Sequence, residues 1–316
     1  MKRMKRILVT GAKGQIGSEL VPLLREKYGH GNVIASDIKD EEEGDAPYEI
    51  LDVRDGKKLA EVVDKYGIDT IFHMAAILSA TGEKNPQLAW NVNVGGLYNV
   101  LEVGKEKSLF RIFIPSSIAA FGPETPKVNT PQETVLKPRT MYGITKVIGE
   151  RLGEYYFWKY NLDVRGVRYP GIISSKTLPG GGTTDYAVEI FYEALRKKRY
   201  TSFLKPQTRL PMMYMPDCLK ATLMLMEAPL ENLKHHTDFN VAGMSFSVEE
   251  LALEIKKRIP EFEIDYRPDY RQAIADSWPE SIDDSAARQE WGWSPDYDLP
   301  SMVDDMLEKL RVKLGL

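Results

Sequence analysis

Short apolar runs alternate with amphipathic stretches through the first half of the chain. RILVTG (6–11), NVIASD (32–37), YEILD (48–52), TIFHMAA (70–76) and RIFIPSS (111–117) read as buried strands. Helical patterns fall between them, at roughly 15–28, 56–66 and 86–106. Buried strands alternating with helices predict a parallel sheet covered on both faces. Pro22 lies inside the first helical pattern, where its missing N–H is expected to cause a kink.

The second half is less regular. A helix is predicted over 141–159, then a strand in LDVRGVRYPGII. A glycine-rich loop, LPGGGTTDYA, opens a helix to about 198. LPMMYMPD leads into a helix to about 228, and a strand follows near DFNVAG. A helix from Ser247, a strand near FEIDYRP and a polar loop through WPESIDDSAARQEWGW precede a last helix over 300–313. No repeat or low-complexity tract interrupts the pattern. The expected fold is α/β: a Rossmann-type doubly wound parallel sheet over residues 1–170, with a smaller C-terminal substrate lobe over 171–316, interleaved with it.

Composition narrows the classes. A chain of 316 residues suits one large domain or a domain with a smaller lobe. A net charge of −4 without a long basic run argues against nucleic acid, and the initial KRMKR reads as a solvated tail. No apolar stretch reaches the ~20 residues that cross a bilayer. The first strand pattern begins at once, leaving no room for a targeting peptide. A soluble, cytoplasmic protein is expected. Cys218 is the single cysteine, so no intrachain disulfide can form, and it reads as a packed thiol. His30, His73, His235 and His236 share no metal-ligand spacing with it or one another, so no metal is expected.

The chemistry begins at RILVTGAKGQIGSEL. Gly11, Gly14 and Gly17 follow a strand and open a helix, with Gln15 and Ile16 inside the turn. Such a turn admits a tight bend, a close backbone approach to a pyrophosphate and a close helix–strand contact. The helix N-terminus offers free N–H groups to phosphates. Asp37 ends the second strand pattern 20 residues after Gly17, where a carboxylate holds an adenosine ribose and repels a 2′-phosphate. That favours NAD over NADP. Asp52 in LDVRD is placed to reach the adenine, or else caps the following helix.

Ser116 and Ser117 end the fifth strand pattern, on the side where ligands of open parallel sheets lie. Tyr142 and Lys146 follow at i and i+4 of a helix and share one face. An ammonium beside a phenol is expected to lower the phenol pKa and make a general base.

In order, Gly11, Gly14, Gly17, Asp37, Asp52, Ser117, Tyr142 and Lys146 resemble the extended short-chain dehydrogenase/reductase family of NAD-dependent epimerases and dehydratases. The resemblance spans nearly the whole chain. It extends to Ala75 and Ala76 in HMAAILSA, to Asn93 in NVNVGG, and to Tyr169 and Pro170, which it places over the nicotinamide. It implies NAD as cofactor and contacts from Val53 beside Asp52. RYPGII departs from the Arg-x-x-Asn-x-Tyr-Gly-Pro segment usual in sugar epimerases. IPSSIAAFGP, KPRTMYGITK, LPGGGTTDYAVEIFYEAL and DSWPESIDDSAARQEWGW look instead like the short-chain-type L-threonine 3-dehydrogenases within that family. Many of those carry threonine where this chain has Ser117.

This closer resemblance implies oxidation of the C3 hydroxyl of L-threonine. Tyr142 would be the base and Ser117, in preference to Ser116, would orient the hydroxyl. Lys146 would hold the ribose. Gly182, Thr183 and Thr184 in GGGTTDYA are candidates for the substrate carboxylate, the threonines alternatively capping the helix. Ser79 is a further candidate contact, and Trp278 is either a lid or a surface packing residue. A sugar-nucleotide epimerase or dehydratase is the competing enzyme. A dinucleotide-sensing regulator is disfavoured because Tyr142 and Lys146 are both kept. The family implies a homodimer through the helices at 86–106 and 141–159.

Overall fold

A computed structural model describes residues 4–40, 46–178, 180 and 182–316; the start of KRMKR and Gly181 lie outside them. The first half runs β1 (Ile7–Thr10), α1 (Gly17–Tyr28), β2 (Val33–Asp37), β3 (Tyr48–Ile50), α2 (Gly56–Tyr66) and β4 (Thr70–His73). It continues through α3 (Ser79–Lys84), α4 (Pro86–Ala89), a π-helical stretch Trp90–Gly96, α5 (Leu97–Glu106), β5 (Arg111–Phe113), β6 (Ser116–Ser117), α6 (Met141–Tyr160) and β7 (Val164–Arg165). Six strands form one parallel sheet in the order β3-β2-β1-β4-β5-β7. The order reverses beside β1, which places a ligand crevice at its C-terminal end.

Alternate strand residues feed opposite layers. Leu8, Ile34, Ile71 and Ile112 pack with Leu59 and Val63 of α2 and Leu101 of α5. Val9, Val33, Phe72 and Phe113 face the other way, onto Leu20 and Leu24 of α1. Burial on both faces is why these strands read as continuous apolar runs. Helix α1 continues through Pro22, whose ring lies at the exposed surface where the lost N–H costs least.

The remaining elements are β8 (Val167–Tyr169), β9 (Gly171–Ile173), α7 (Tyr186–Lys197), β10 (Arg199–Ser202), β11 (Arg209–Tyr214), α8 (Met215–Glu227) and β12 (Phe239–Asn240). Then come β13 (Met244–Ser247), α9 (Val248–Arg258), β14 (Glu263–Tyr266), α10 (Arg271–Ala275), α11 (Ser285–Trp291) and α12 (Leu299–Leu314). Three small sheets join them: β10-β14, β13-β11-β9 and β12-β8-β6. A second core of Phe191, Tyr214, Phe246, Leu251 and Met306 holds α7, α9 and α12 together. Among the described residues no helix is long and apolar enough to cross a membrane.

Two segments expected as single strands are broken. RIFIPSS splits at Pro115, with β5 in the central sheet and β6 paired to β8. LDVRGVRYPGII becomes β7, β8 and β9 in three different sheets. Gly166 makes the first crossing possible, since a Cβ there would lie 2.4 Å from the Ile114 carbonyl oxygen and 2.6 Å from that of Thr237. The helix expected over 86–106 is interrupted by the π-helical stretch, and α10 and α11 lie within the polar loop. β10, β13 and α3 carry too little periodicity to stand out in the sequence.

Candidate active site

The glycine turn closes on itself after β1. Gly11 has φ +66°, and a Cβ there would lie 2.6 Å from the Ala75 backbone nitrogen. A Cβ on Gly17 would meet the Gly11 oxygen at 2.3 Å, so strand and helix touch where only hydrogen fits. Beside the turn, a cavity of about 880 Å³ is lined by Gly11, Asp37, Asp52, Val53, Ala75 and Ala76. Asp37 accepts the backbone N–H groups of Lys13 at 3.0 Å and Lys39 at 3.3 Å, which aims its carboxylate. Asp52 does not cap α2; Asp55 does, accepting from the Lys58 N–H. The Arg54 guanidinium bonded to Asp52 holds that carboxyl below the usual range.

A second cleft of about 1010 Å³ shares Gly14, Met74 and Ala76 with the first. Gln15, Ile16, Gly17, Ser79, Ser117, Tyr142 and Lys146 line it. A trough therefore runs from Asp37 to Tyr142. Neighbouring residues of a strand point to opposite sides. Ser117 lines the cleft with Tyr142, its Oγ accepting the Ala119 N–H at 3.2 Å, whereas Ser116 donates to Glu150 Oε1 at 2.5 Å. Ser116 also lines the cleft, but its hydroxyl is engaged by Glu150. Thr140 caps α6 by accepting the Gly143 N–H at 3.1 Å, which fixes the turn that carries Tyr142.

Lys146 Nζ donates to the Pro115 carbonyl at 2.7 Å and lies 5.3 Å from the Tyr142 ring centre. Burial pushes the Tyr142 phenol up to about 12, with the Ser117 hydrogen bond working the other way. The expected lowering is therefore absent in the protein alone: desolvation outweighs an ammonium already bonded to a carbonyl. Burial also pulls Lys146 down to about 8, opposed by the Glu150 charge.

Asn93 sits in the π-helical stretch and clamps Ile77, accepting its N–H at 2.7 Å and donating to its carbonyl at 3.0 Å. It also donates to Thr145 Oγ1 at 3.1 Å, tying the segment after β4 to α6. Its amide thus shapes the trough wall through Ile77. Tyr169 borders the cleft with Pro170, but its hydroxyl is bonded to Thr222 in the core.

On the substrate side, Thr183 is 1% exposed and its Oγ1 has no hydrogen-bond partner. The Gly182 N–H is already taken by Asp185 Oδ2 at 2.7 Å, so it is not free for a carboxylate. Thr184 packs its methyl against Gly171, where a Cβ would lie 2.7 Å from it. Neither threonine caps α7, whose N-cap position is Asp185. Trp278 is 5% exposed and lines the cleft, so it is not a surface residue. Among the described lining residues, Lys146 is the one lysine and there is no arginine.

The NAD dependent epimerase/dehydratase family matches residues 7–242. The chain belongs to this family. The mitochondrial L-threonine 3-dehydrogenase of Bos taurus is 52% identical over 307 residues, spanning 96% of this chain and 82% of that protein. An L-threonine dehydrogenase from Clostridium difficile superposes with a TM-score of 0.96 at 53% identity, over 99% of both chains. The GalE-like L-threonine dehydrogenase of Cupriavidus necator, in its holo form, gives 0.95 at 53% identity over 96% of this chain and 99% of that one.

For this epimerase/dehydratase-family enzyme the cofactor is NAD. The residues fit it: Gly11 and Gly17 leave the space a backbone–pyrophosphate contact needs, and Asp37 stands at the ribose end. Sequence reading missed Glu150, Arg168 and Gly143. Glu150 lies four residues past Lys146, a spacing that could have flagged it. Arg168 could not be paired with it before β6 and β8 were known to be neighbours.

Proposed function

We propose that the chain is an L-threonine 3-dehydrogenase, oxidising L-threonine to 2-amino-3-oxobutyrate with NAD⁺. The observation that carries this is the gathering of Ser117, Tyr142 and Lys146 in one cleft that Thr183, whose buried hydroxyl has no partner, also lines. The similarity to L-threonine dehydrogenases over nearly the whole chain supports it.

Tyr142, as phenolate, takes the proton of the C3 hydroxyl. Ser117 Oγ, in the same cleft, orients the hydroxyl toward it. NAD⁺, when bound, accepts the hydride that leaves C3. Lys146 holds the ribose and adds positive charge, which favours the phenolate against the effect of burial. Thr183 Oγ1 binds the substrate carboxylate, and Ser79, buried at the start of α3, borders the same space. A sugar nucleotide would need cations for its diphosphate, and the scarcity of lysine and arginine in the cleft speaks against one.

The working form is read as a cytoplasmic homodimer. Its proposed interface is the helical face bearing the exposed Trp90, Tyr98, Tyr155 and Trp158. The deciding experiment follows NADH absorbance with L-threonine, D-threonine, allo-threonine and UDP-sugars. Turnover with L-threonine is expected. Turnover with a UDP-sugar alone would overturn the reading.

A further inference from the structure

Behind Lys146 lies a charged cluster that the proton transfer leaves unused. Glu150 is 1% exposed and sits one turn beyond Lys146 on α6. Tyr142, Lys146 and Glu150 thus recur at i, i+4 and i+8, along one helix face. Arg168 donates to both Glu150 oxygens at 2.9 Å, and Ser116 donates to Oε1. Beyond them, Arg168 reaches Asp238 at 3.2 Å, and Arg151 reaches the same carboxylate at 2.9 Å.

Two carboxylates and two guanidiniums cancel in sum, but they are oriented. Glu150 and Lys146 line one small, partly open pocket, which Arg168, Asp238 and Arg151 do not line. Arg151 lies at the outer end, with its side chain 50% exposed. The other faces of this space present His73 from β4, Asn93 from the π-helical stretch, and Ser116 and Thr145. Burial drives His73 down to about 3, so it is neutral, and its Nδ1 is bonded to Thr10 Oγ1 at 2.9 Å. Among the described lining residues Glu150 is therefore the one negative charge and Lys146 the one positive charge.

A buried ammonium is held charged only by compensating groups. We propose that Glu150 is a positioning residue of the reaction, its carboxylate steered by Ser116 and Arg168 so that Lys146 stays protonated at the cofactor cleft. The direction agrees with the charges: burial lowers Lys146 and Glu150 raises it. This rests on the role given to Lys146 under the proposed function. It assigns a job to Ser116 as well, which sets the carboxylate rather than the substrate.

The experiment is the pH profile of kcat/KM for NADH formation, whose alkaline fall reports Lys146 losing its proton. Glu150→Gln keeps the shape and removes the charge. It should move the alkaline limb down by about one pH unit, a tenfold loss on that side. A buttress without electrostatic effect would lower kcat equally at every pH, leave the limb in place and overturn the proposal. Should Glu150→Gln fail to fold, Ser116→Ala removes a donor that steers the Glu150 carboxylate and should move the limb down by about half a unit. An unmoved limb there is equally fatal. Tyr142→Phe separates the two readings: near-normal turnover in that variant sinks the proposed function itself, whatever Glu150 does.

Discussion

Gly143 is where sequence, packing and chemistry meet, and Gly143→Ala tests that meeting. Alanine is the better helix former by about 1 kcal/mol, so α6 viewed alone predicts stabilisation. The structure predicts the reverse. A Cβ at 143 would lie 2.1 Å from the Ala119 carbonyl oxygen and 2.6 Å from Pro138 Cβ. Carbon–oxygen contacts settle near ~3.3 Å, so the start of α6 must withdraw by roughly 1 Å from the turn that follows Ser117. Both sides of the clash are backbone or ring, with no flexible side chain to yield. Overpacking of this kind costs about 1–3 kcal/mol, which meets or exceeds the helical gain. The same displacement separates the Tyr142 phenol from Ser117, and a 1 Å error in a reacting group costs about 10²-fold in rate. The assay is kcat for NADH formation beside NAD affinity and a thermal melt. NAD affinity should fall less than kcat, since the glycine turn and Asp37 belong to the β1–α1 turn and β2 rather than to α6. A kcat within threefold of the parent chain would refute the reasoning.

Ser117→Ala removes the hydroxyl whose presence works to lower the Tyr142 phenol, so less phenolate exists at any given pH. The acid-side rise of kcat/KM should move upward by about half to one pH unit, the size of one hydrogen bond; a profile that stays put denies the contact. Asp37→Ser removes the carboxylate that repels a 2′-phosphate and leaves Lys13 and Lys39 beside the site. The ratio of kcat/KM with NADP⁺ to that with NAD⁺ should rise by about tenfold or more, the equivalent of about 1.4 kcal/mol. Thr183→Val keeps the shape and deletes an unpartnered buried hydroxyl. It should raise KM for L-threonine by about tenfold without loss of thermal stability, and an unchanged KM would free Thr183 from any role in binding.

Much of the site is local and was therefore legible. A glycine turn, a carboxylate at the next strand end and a Tyr–Lys pair at helical spacing each follow from a few adjacent residues. Period and spacing carry that information because strand and helix geometry are themselves local. The parallel sheet was legible for the same reason, as apolar runs divided by amphipathic helices. The breaks at Pro115 and Gly166 were not. Each depends on a backbone from elsewhere in the chain, the Thr237 carbonyl above Gly166 and β8 beside Ser116.

The sequence by itself determined which groups are present and which share an element: Tyr142, Lys146 and Glu150 on one helix, Ser116 and Ser117 in one strand. Only the tertiary structure decided their states and their partners. It set Ser117 in one cleft with Tyr142 and bonded Ser116 to Glu150, because β6 leaves the central sheet to pair with β8. It also reversed the expected direction of the Tyr142 pKa. A neighbouring charge can be inferred from spacing, but desolvation depends on everything packed around the group, and in the protein alone desolvation is the larger effect.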